Sequence, residues 1–246
     1  MKLGRRPVRR DSRIPCLARY TRAISLPPPP AVVVPPALDW PMDLNDQIGD
    51  CTIAAAAHAM QLWTAAVIST AESPLKIMPD AEVLAAYEQI GGYDPANPDT
   101  DRGCVEVDVL ETWMNTGIAG DKLDAYCSLN ITDPDELKDA VNWFGCAYLG
   151  INCPKSAIED TRRWDVVPGS PIEGGHAIIC VGYDPENFYM VSWGKLIPAS
   201  PAFVTQYLEE AYAPLSRDFV GEWGTTPAGL DLAQLEADMG LLRAKP

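Results

Sequence analysis

Cys51 and His176 are the two residues whose types and surroundings best fit covalent chemistry. Cys51 follows the polar turn 45–50 and opens an Ala-rich stretch that predicts a helix to Val67. A thiol in the first turn of a helix lies near the positive end of the helix dipole, which favours the thiolate. His176 stands 125 positions later, after two glycines, in a stretch that predicts a strand over 176–183. A thiol and an imidazole that meet in the fold can act as a nucleophile and its general base, so this pair is the candidate catalytic centre.

Four further segments, in a fixed order around this pair, resemble the papain-like cysteine peptidases. They are Pro-Ala-Leu-Asp-Trp at 36–40, Asp-Arg-Gly-Cys at 101–104, Gly-His-Ala at 175–177 and Ser-Trp-Gly at 192–194. The resemblance covers residues 36–215 and implies an α+β fold of two lobes with the active-site cleft between them. It places a helical lobe at about 36–125 and a β-rich lobe at about 126–215.

The same resemblance implies roles for the residues around Cys51 and His176. Cys51 would attack a peptide or amide carbonyl, and His176 would act first as base and then as acid. The family's oxyanion-hole Gln lies six residues before the nucleophile. That position is Asn45 here, with Gln47 as the other amide in the turn. Trp193 would shield the imidazole from water.

Val191 is the main departure from the family pattern. Papain-like enzymes carry an Asn directly before Ser-Trp-Gly, where it orients the imidazole, and this chain carries Val191. Neighbouring strand residues point to opposite faces, so Ser192 is expected to face away from His176 while Val191 packs near the ring. The sequence therefore predicts a histidine without a side-chain orienter, and a gain in rate from Val191→Asn.

Two functions remain open at this point. The first is a papain-like thiol hydrolase that cleaves a peptide or amide bond, with a peptide or protein as its substrate. The second is a catalytically weak or inactive papain-like scaffold that serves as a phage or bacterial structural or assembly protein. Losing an orienting residue generally costs rate without abolishing the chemistry.

Charge is unevenly distributed along the chain. Residues 1–35 carry eight Lys or Arg and one acid, with a Pro run at 27–30, whereas the rest carries 11 basic and 33 acidic residues. Such an arm favours an extended conformation. It is either a disordered tail or an anchor that binds an acidic partner surface or a neighbouring subunit. The acidic body disfavours nucleic acid as a partner, because phosphates would be repelled.

The remaining composition points away from a metal or cofactor enzyme. Seven cysteines are scattered without a CxxC pair or a metal-ligand spacing, and there are only two histidines. We therefore expect no metal, no cofactor and a reduced protein, either cytoplasmic or part of an assembled particle such as a virion. No apolar segment has the length of a signal peptide core or a membrane span, so no membrane partner is expected.

Coarse periodicity predicts helices in the first half of the chain and strands in the second. Capping and stop signals predict helices at 80–90, 104–115 and 133–145, and strands at 146–152, 176–183 and 187–193. A further helix is predicted from Ser200 through Tyr212. The tail 216–246 is predicted to contain one short helix, at 231–239.

Overall fold

Helices form the first half of the chain in the computed structural model, which describes residues 1–21, 27–32, 38–67, 75–216, 235, 237 and 238. They are α1 (Cys51–Val67), α2 (Asp80–Gly91) and α3 (Glu106–Asn115), with short 3-10 turns at Leu17–Arg19 and Pro98–Thr100. Every residue of α1 from Cys51 to Trp63 is buried. Small alanine side chains allow neighbouring elements to approach this helix from all sides, so α1 forms the centre of the molecule.

A six-stranded antiparallel sheet forms the second half. Its strands are β1 (Ala125–Ser128), β2 (Ala147–Pro154), β3 (Ile172–Tyr183), β4 (Phe188–Ser192), β5 (Lys195–Ala199) and β6 (Leu208–Leu215). Their order across the sheet is β1-β6-β2-β3-β4-β5. Helices α4 (Pro134–Phe144), α5 (Lys155–Glu159) and α6 (Pro201–Tyr207) connect them. Helix α1 packs against β3, and this contact brings the two halves of the chain together.

The predicted helix through Tyr212 is wrong in its second half. Helix α6 ends at Tyr207, and the following residues form β6 in the interior of the sheet, between β1 and β2. Most of β6 is buried without alternation. A short apolar run that is buried on both faces has no period to distinguish strand from helix. Of the predicted helix at 231–239, the structure describes residues 235, 237 and 238, which are helical; the rest lies outside the described residues.

All seven cysteines lie in the described part of the chain and carry free thiols, with only Cys16 exposed. No helix among the described residues is long and apolar enough to cross a membrane. Within the same residues, no group of three or more His, Cys, Asp or Glu side chains is arranged to hold a metal ion.

Candidate active site

Cys51 begins α1, and its sulfur faces β3. The backbone N–H groups of Ile53 and Ala54 donate to the Asp50 carbonyl oxygen, which starts the helix directly at the thiol. The backbone N–H of Ala177 donates to the Cys51 Sγ at 3.3 Å. Because Ala177 follows His176, the fold brings together the two residues that are 125 positions apart in sequence.

The His176 ring is held from two sides. Its Nε2 lies 2.7 Å from the Ser192 hydroxyl oxygen. The Trp193 ring stacks on it, with centroids 4.2 Å apart and planes inclined by 15°. Within the described part of the chain, Nδ1 has no hydrogen-bond partner. The ring is therefore oriented through one nitrogen, and the other is available.

The expectation that Ser192 faces away from His176 is wrong, and so is the expectation that His176 lacks a side-chain orienter. A bulge in β3 explains both errors. Ile179 pairs with Val191 and Cys180 with Met190, but the register shifts before Gly182 pairs with Tyr189. One extra residue in a strand exchanges the faces of all side chains beyond it. With this register, Ser192 shares the face of His176.

Val191 consequently lies on the other face of the sheet. It is fully buried and stands opposite Ile179 on β3 and Leu196 on β5. Without the bulge, the register of the far end of the hairpin would place Val191 opposite Cys180, and therefore on the face of His176. Val191 and Ser192 exchange places relative to the expectation because of a single inserted residue.

The turn before Cys51 places its two amide side chains differently. Asn45 is buried, and its amide donates to the Asp50 carboxyl at 3.0 Å and to the Ile48 carbonyl at 3.4 Å, whereas Gln47 is exposed. Burial raises the pKa of Asp50 to about 8. Asp50 is thus largely neutral at pH 7, which reduces its opposition to a thiolate on the next residue.

Burial also keeps the thiol and the imidazole neutral in this conformation. It raises the pKa of Cys51 above its ordinary range, although hydrogen bonds from the Ala177 and Gly4 backbones act in the opposite direction. Burial, together with the nearby positive charge of Arg5, which contributes less, lowers the pKa of His176 to about 3. A thiol beside a neutral imidazole is therefore the state that this structure favours.

The N-terminus of the chain covers this pair. Backbone hydrogen bonds join Lys2 to Asn45, Gly4 and Arg6 to Cys104, and Arg5 to Gly175, at 2.8–3.1 Å. The Trp193 indole donates to the Lys2 carbonyl at 3.2 Å. We call residues 2–6 the cleft segment, because they cross the groove between the turn before α1, residues 103–104 and β3.

The cleft segment fits because it and the walls of the groove carry glycines where it passes Cys51. A Cβ on Gly4 would lie 1.7 Å from the Gly49 carbonyl oxygen, and a Cβ on Gly103 would lie 1.7 Å from the Gly4 carbonyl oxygen. These are backbone atoms that a side-chain rotation cannot move. The cleft segment therefore depends on glycine at position 4, where its backbone passes Cys51.

Sequence reasoning did not identify the cleft segment or the residues that bind it. Arg5 belongs to a run of similar arginines, and nothing local distinguishes it from Arg6 or Arg9. Glu209 and Glu210, which pair with Arg5, lie in a stretch that the sequence predicted as helix. The one local signal for a binding site was the acidic pair 209–210, with Tyr212 two positions later, in an otherwise apolar run.

Solved structures with the same fold are cysteine proteases. Xylellain, a cysteine protease from Xylella fastidiosa, is similar with a TM-score of 0.68 and 18% identity, over 87% of this chain and 96% of its own. A cysteine protease from Carica candamarcensis, in complex with E-64, has a TM-score of 0.52 and 13% identity, over 76% and 99%. Digestive procathepsin L 3 of the Tenebrio molitor larval midgut has a TM-score of 0.58 and 12% identity, over 87% and 76%.

These likenesses define the class of structure. The chain has the α+β, two-lobed fold of papain-like cysteine proteases, as the sequence predicted. No protein-family model matches the sequence, and no similar sequence is found among the curated proteins.

Proposed function

We propose that this protein is a thiol hydrolase that cleaves a peptide or amide bond. The contact of Cys51 with the backbone of β3, one residue after a histidine held by Ser192, carries the proposal. In the reaction, the Cys51 sulfur bonds to the carbonyl carbon while His176 takes the thiol proton. The protonated imidazole then gives that proton to the departing amine, and water hydrolyses the thioester.

The hydrogen bond between Ser192 and His176 assigns roles to the two ring nitrogens in this proposal. If Nε2–H donates to the Ser192 oxygen, the unpartnered Nδ1 carries the lone pair that accepts the thiol proton. The Cys51 backbone N–H and the Asn45 amide are the proposed donors to the oxyanion. Asn45 would have to exchange its bond to Asp50 for one to substrate. Gln47 is the weaker candidate, since its side chain is exposed.

Activity in this proposal requires the cleft segment to leave. Its departure admits water and removes the charge of Arg5 from the vicinity of His176. Both changes raise the pKa of His176, and the lower burial also lowers the pKa of Cys51. The shifts together favour the thiolate–imidazolium pair.

The test measures alkylation of Cys51 by iodoacetamide at pH 7, located by peptide mass spectrometry. Gly4→Ala opens the cleft, and Cys16→Ser removes the exposed thiol. In this background we expect His176→Gln to slow alkylation by roughly tenfold or more, because only the thiolate reacts. His58→Gln is the matched control: His58 lies two turns along α1, 2.9 Å from the Pro41 carbonyl. Equal rates for the parent and His176→Gln would refute the proposal.

A second measurement separates a reactive thiol from a hydrolase. The open protein is incubated with a mixture of synthetic peptides, and new termini are identified by mass spectrometry. We expect cleavage that disappears in Cys51→Ala. Fast alkylation without any cleavage would favour the alternative, a weak or inactive scaffold of a phage or bacterial assembly.

That alternative is favoured by one observation, the complete burial of Cys51 beneath the cleft segment. In it, the basic arm would bind acidic surfaces of neighbouring subunits inside a cell or a particle. Deleting residues 1–35 would then abolish assembly, which size-exclusion chromatography with light scattering measures.

A further inference from the structure

Arg5 of the cleft segment enters a deep acidic pocket beside the candidate catalytic pair. Its guanidinium contacts Glu209 and lies 2.7 Å from Glu210. The Ile151 carbonyl and the Asn152 side-chain oxygen lie 3.4 and 3.3 Å away. The Arg5 side chain is only 2% exposed, so the pocket encloses a whole arginine. We call Glu106, Glu209 and Glu210 the acidic pocket.

Glu106 adds a third acidic side chain to the pocket, beyond the two that pair with Arg5. It is fully buried at the start of α3, and neither carboxyl oxygen has a hydrogen-bond partner among the described residues. A Cβ on Gly150 would lie 2.6–2.7 Å from Glu106 Oε1, Glu210 Cγ and Arg5 Cδ. The three side chains therefore converge on one point of β2. Glu106 is a polar group, aimed into the pocket, that Arg5 does not satisfy.

The shape and chemistry of the pocket select a guanidinium. Oxygens from several elements surround the Arg5 head group, which suits a planar, forked donor better than an ammonium. The Tyr212 hydroxyl donates to Glu210 at 2.9 Å and so fixes that carboxylate. A neutral side chain of the same size would leave the buried Glu210 carboxylate without its charged partner, which is costly.

The acidic pocket lies beside Cys51, because two adjacent residues of the cleft segment reach them: Gly4 passes Cys51 and Arg5 enters the pocket. The Gly4 backbone lies near enough to Cys51 to lower the pKa of its thiol, and Arg5 is the next residue. Any peptide that follows the path of the cleft segment thus places an adjacent side chain in the acidic pocket.

We propose that the acidic pocket recognises an arginine side chain of peptide substrates, and that Arg5 fills it in their place. This inference rests on the proposed hydrolase function, because only a hydrolase would use the bound peptide as a substrate. Binding of the peptide does not itself require Cys51 chemistry. The proposed substrates are peptides in which an arginine is adjacent to the residue that lies beside Cys51.

The test measures peptide binding by fluorescence anisotropy in the full chain. Gly4→Ala with Arg5→Ala expels the cleft segment, and Cys51→Ala prevents cleavage. The probes are fluorescein-labelled Lys-Leu-Gly-Arg-Arg-Pro and the same peptide with citrulline at its first arginine, which keeps the shape and removes the charge. We expect the arginine peptide to bind roughly tenfold tighter or more, as for a charge-assisted contact.

Glu210→Gln in the same background should reduce that preference to within about twofold, because one of the paired carboxylates becomes neutral. Equal affinity for the two peptides, or no binding of either, would overturn the proposal and leave the pocket as an internal anchor. Equal alkylation rates for the parent and His176→Gln, or the absence of peptide cleavage, would instead overturn the hydrolase function alone if arginine-selective binding is intact.

A second measurement guards against misfolding of the open variant. Arg5→Ala alone leaves the backbone of the cleft segment in place and empties the pocket. We expect methylguanidinium to raise its Tm more than methylammonium at the same concentration, and to have no such selective effect on the wild type. Equal stabilisation of Arg5→Ala by the two cations would contradict guanidinium recognition.

Discussion

The hydrogen bond between Ser192 and His176 is the residue-scale feature on which the proposed chemistry depends most. A hydroxyl at 2.7 Å fixes the ring through Nε2 and leaves Nδ1 available. Papain-like enzymes use an asparagine for this purpose, one position earlier in the sequence pattern. Here the neighbouring residue supplies the contact, and Trp193 covers the ring.

We expect Ser192→Ala, in the Gly4→Ala background, to slow Cys51 alkylation and any hydrolysis. The loss is roughly a few-fold to tenfold, equivalent to a hydrogen bond of about 0.5–1.5 kcal/mol. Ser192→Thr keeps the hydroxyl and should restore most of the rate. The pH profile of alkylation is the direct measurement, since a purely structural role would leave its midpoint unchanged.

Val191→Asn is the matched comparison. The earlier expectation of a gain in rate assumed that this side chain faces His176, which it does not. An amide on the buried opposite face should leave the rate unchanged and lower the free energy of unfolding by about 1–3 kcal/mol. A faster reaction of the Val191→Asn variant together with an unaffected Ser192→Ala variant would show that the register of β3 and β4 is not as described.

Helix α1 is the element that positions Cys51, and its alanine side chains keep it narrow. Ala56 and Ala59 are completely buried. Helix α1 packs against β3, and the Ala177 N–H of that strand reaches Cys51. The spacing of α1 from the sheet therefore sets the geometry of the site.

Ala56→Leu should accordingly destabilise the protein by about 1–3 kcal/mol, because a well-packed interior has no room for the added carbons. Chemical denaturation measures this change. Ala85→Leu is the control, since Ala85 is exposed on α2 and leucine suits a helix surface. Similar stabilities for the two variants would mean that α1 has more space around it than its burial indicates.

Charge segregation is the main feature at the scale of the whole molecule. The basic arm contacts its own acidic body: Arg5 binds Glu209 and Glu210, and Arg9 binds Asp108 and Glu111. The Arg9 pairs are solvent-exposed and contribute little. The buried Arg5 pair is different, because removing one partner leaves buried charges uncompensated. The arm is thereby fastened at its first residues, across the candidate active site.

We expect Gly4→Ala to expose the nucleophile in the otherwise native protein. The new methyl group would clash with the Gly49 carbonyl, so the cleft segment must shift. Alkylation of Cys51 at pH 7 should rise by roughly tenfold or more, since an accessible thiolate is what reacts. Arg10→Ala, an exposed change in the same arm, should have no effect. An unchanged Cys51 rate in Gly4→Ala would show that the cleft segment does not control access.

Local signals in the sequence were enough to predict helices α1 to α4 and the identity of the candidate pair. The polar turn before Cys51, the Ala-rich run after it and the glycines before His176 are short-range patterns with direct physical causes. The resemblance then gave the α+β two-lobed fold, which the structural likenesses show. The tertiary structure decided what depends on long-range register and on contacts between distant segments. One extra residue in β3 exchanged the faces of Val191 and Ser192. Residues 208–215 form a strand because β1 and β2 pair with both of its edges. Arg5 could not be distinguished from its neighbours until the acidic pocket, built from residues more than 100 positions away, closed around it.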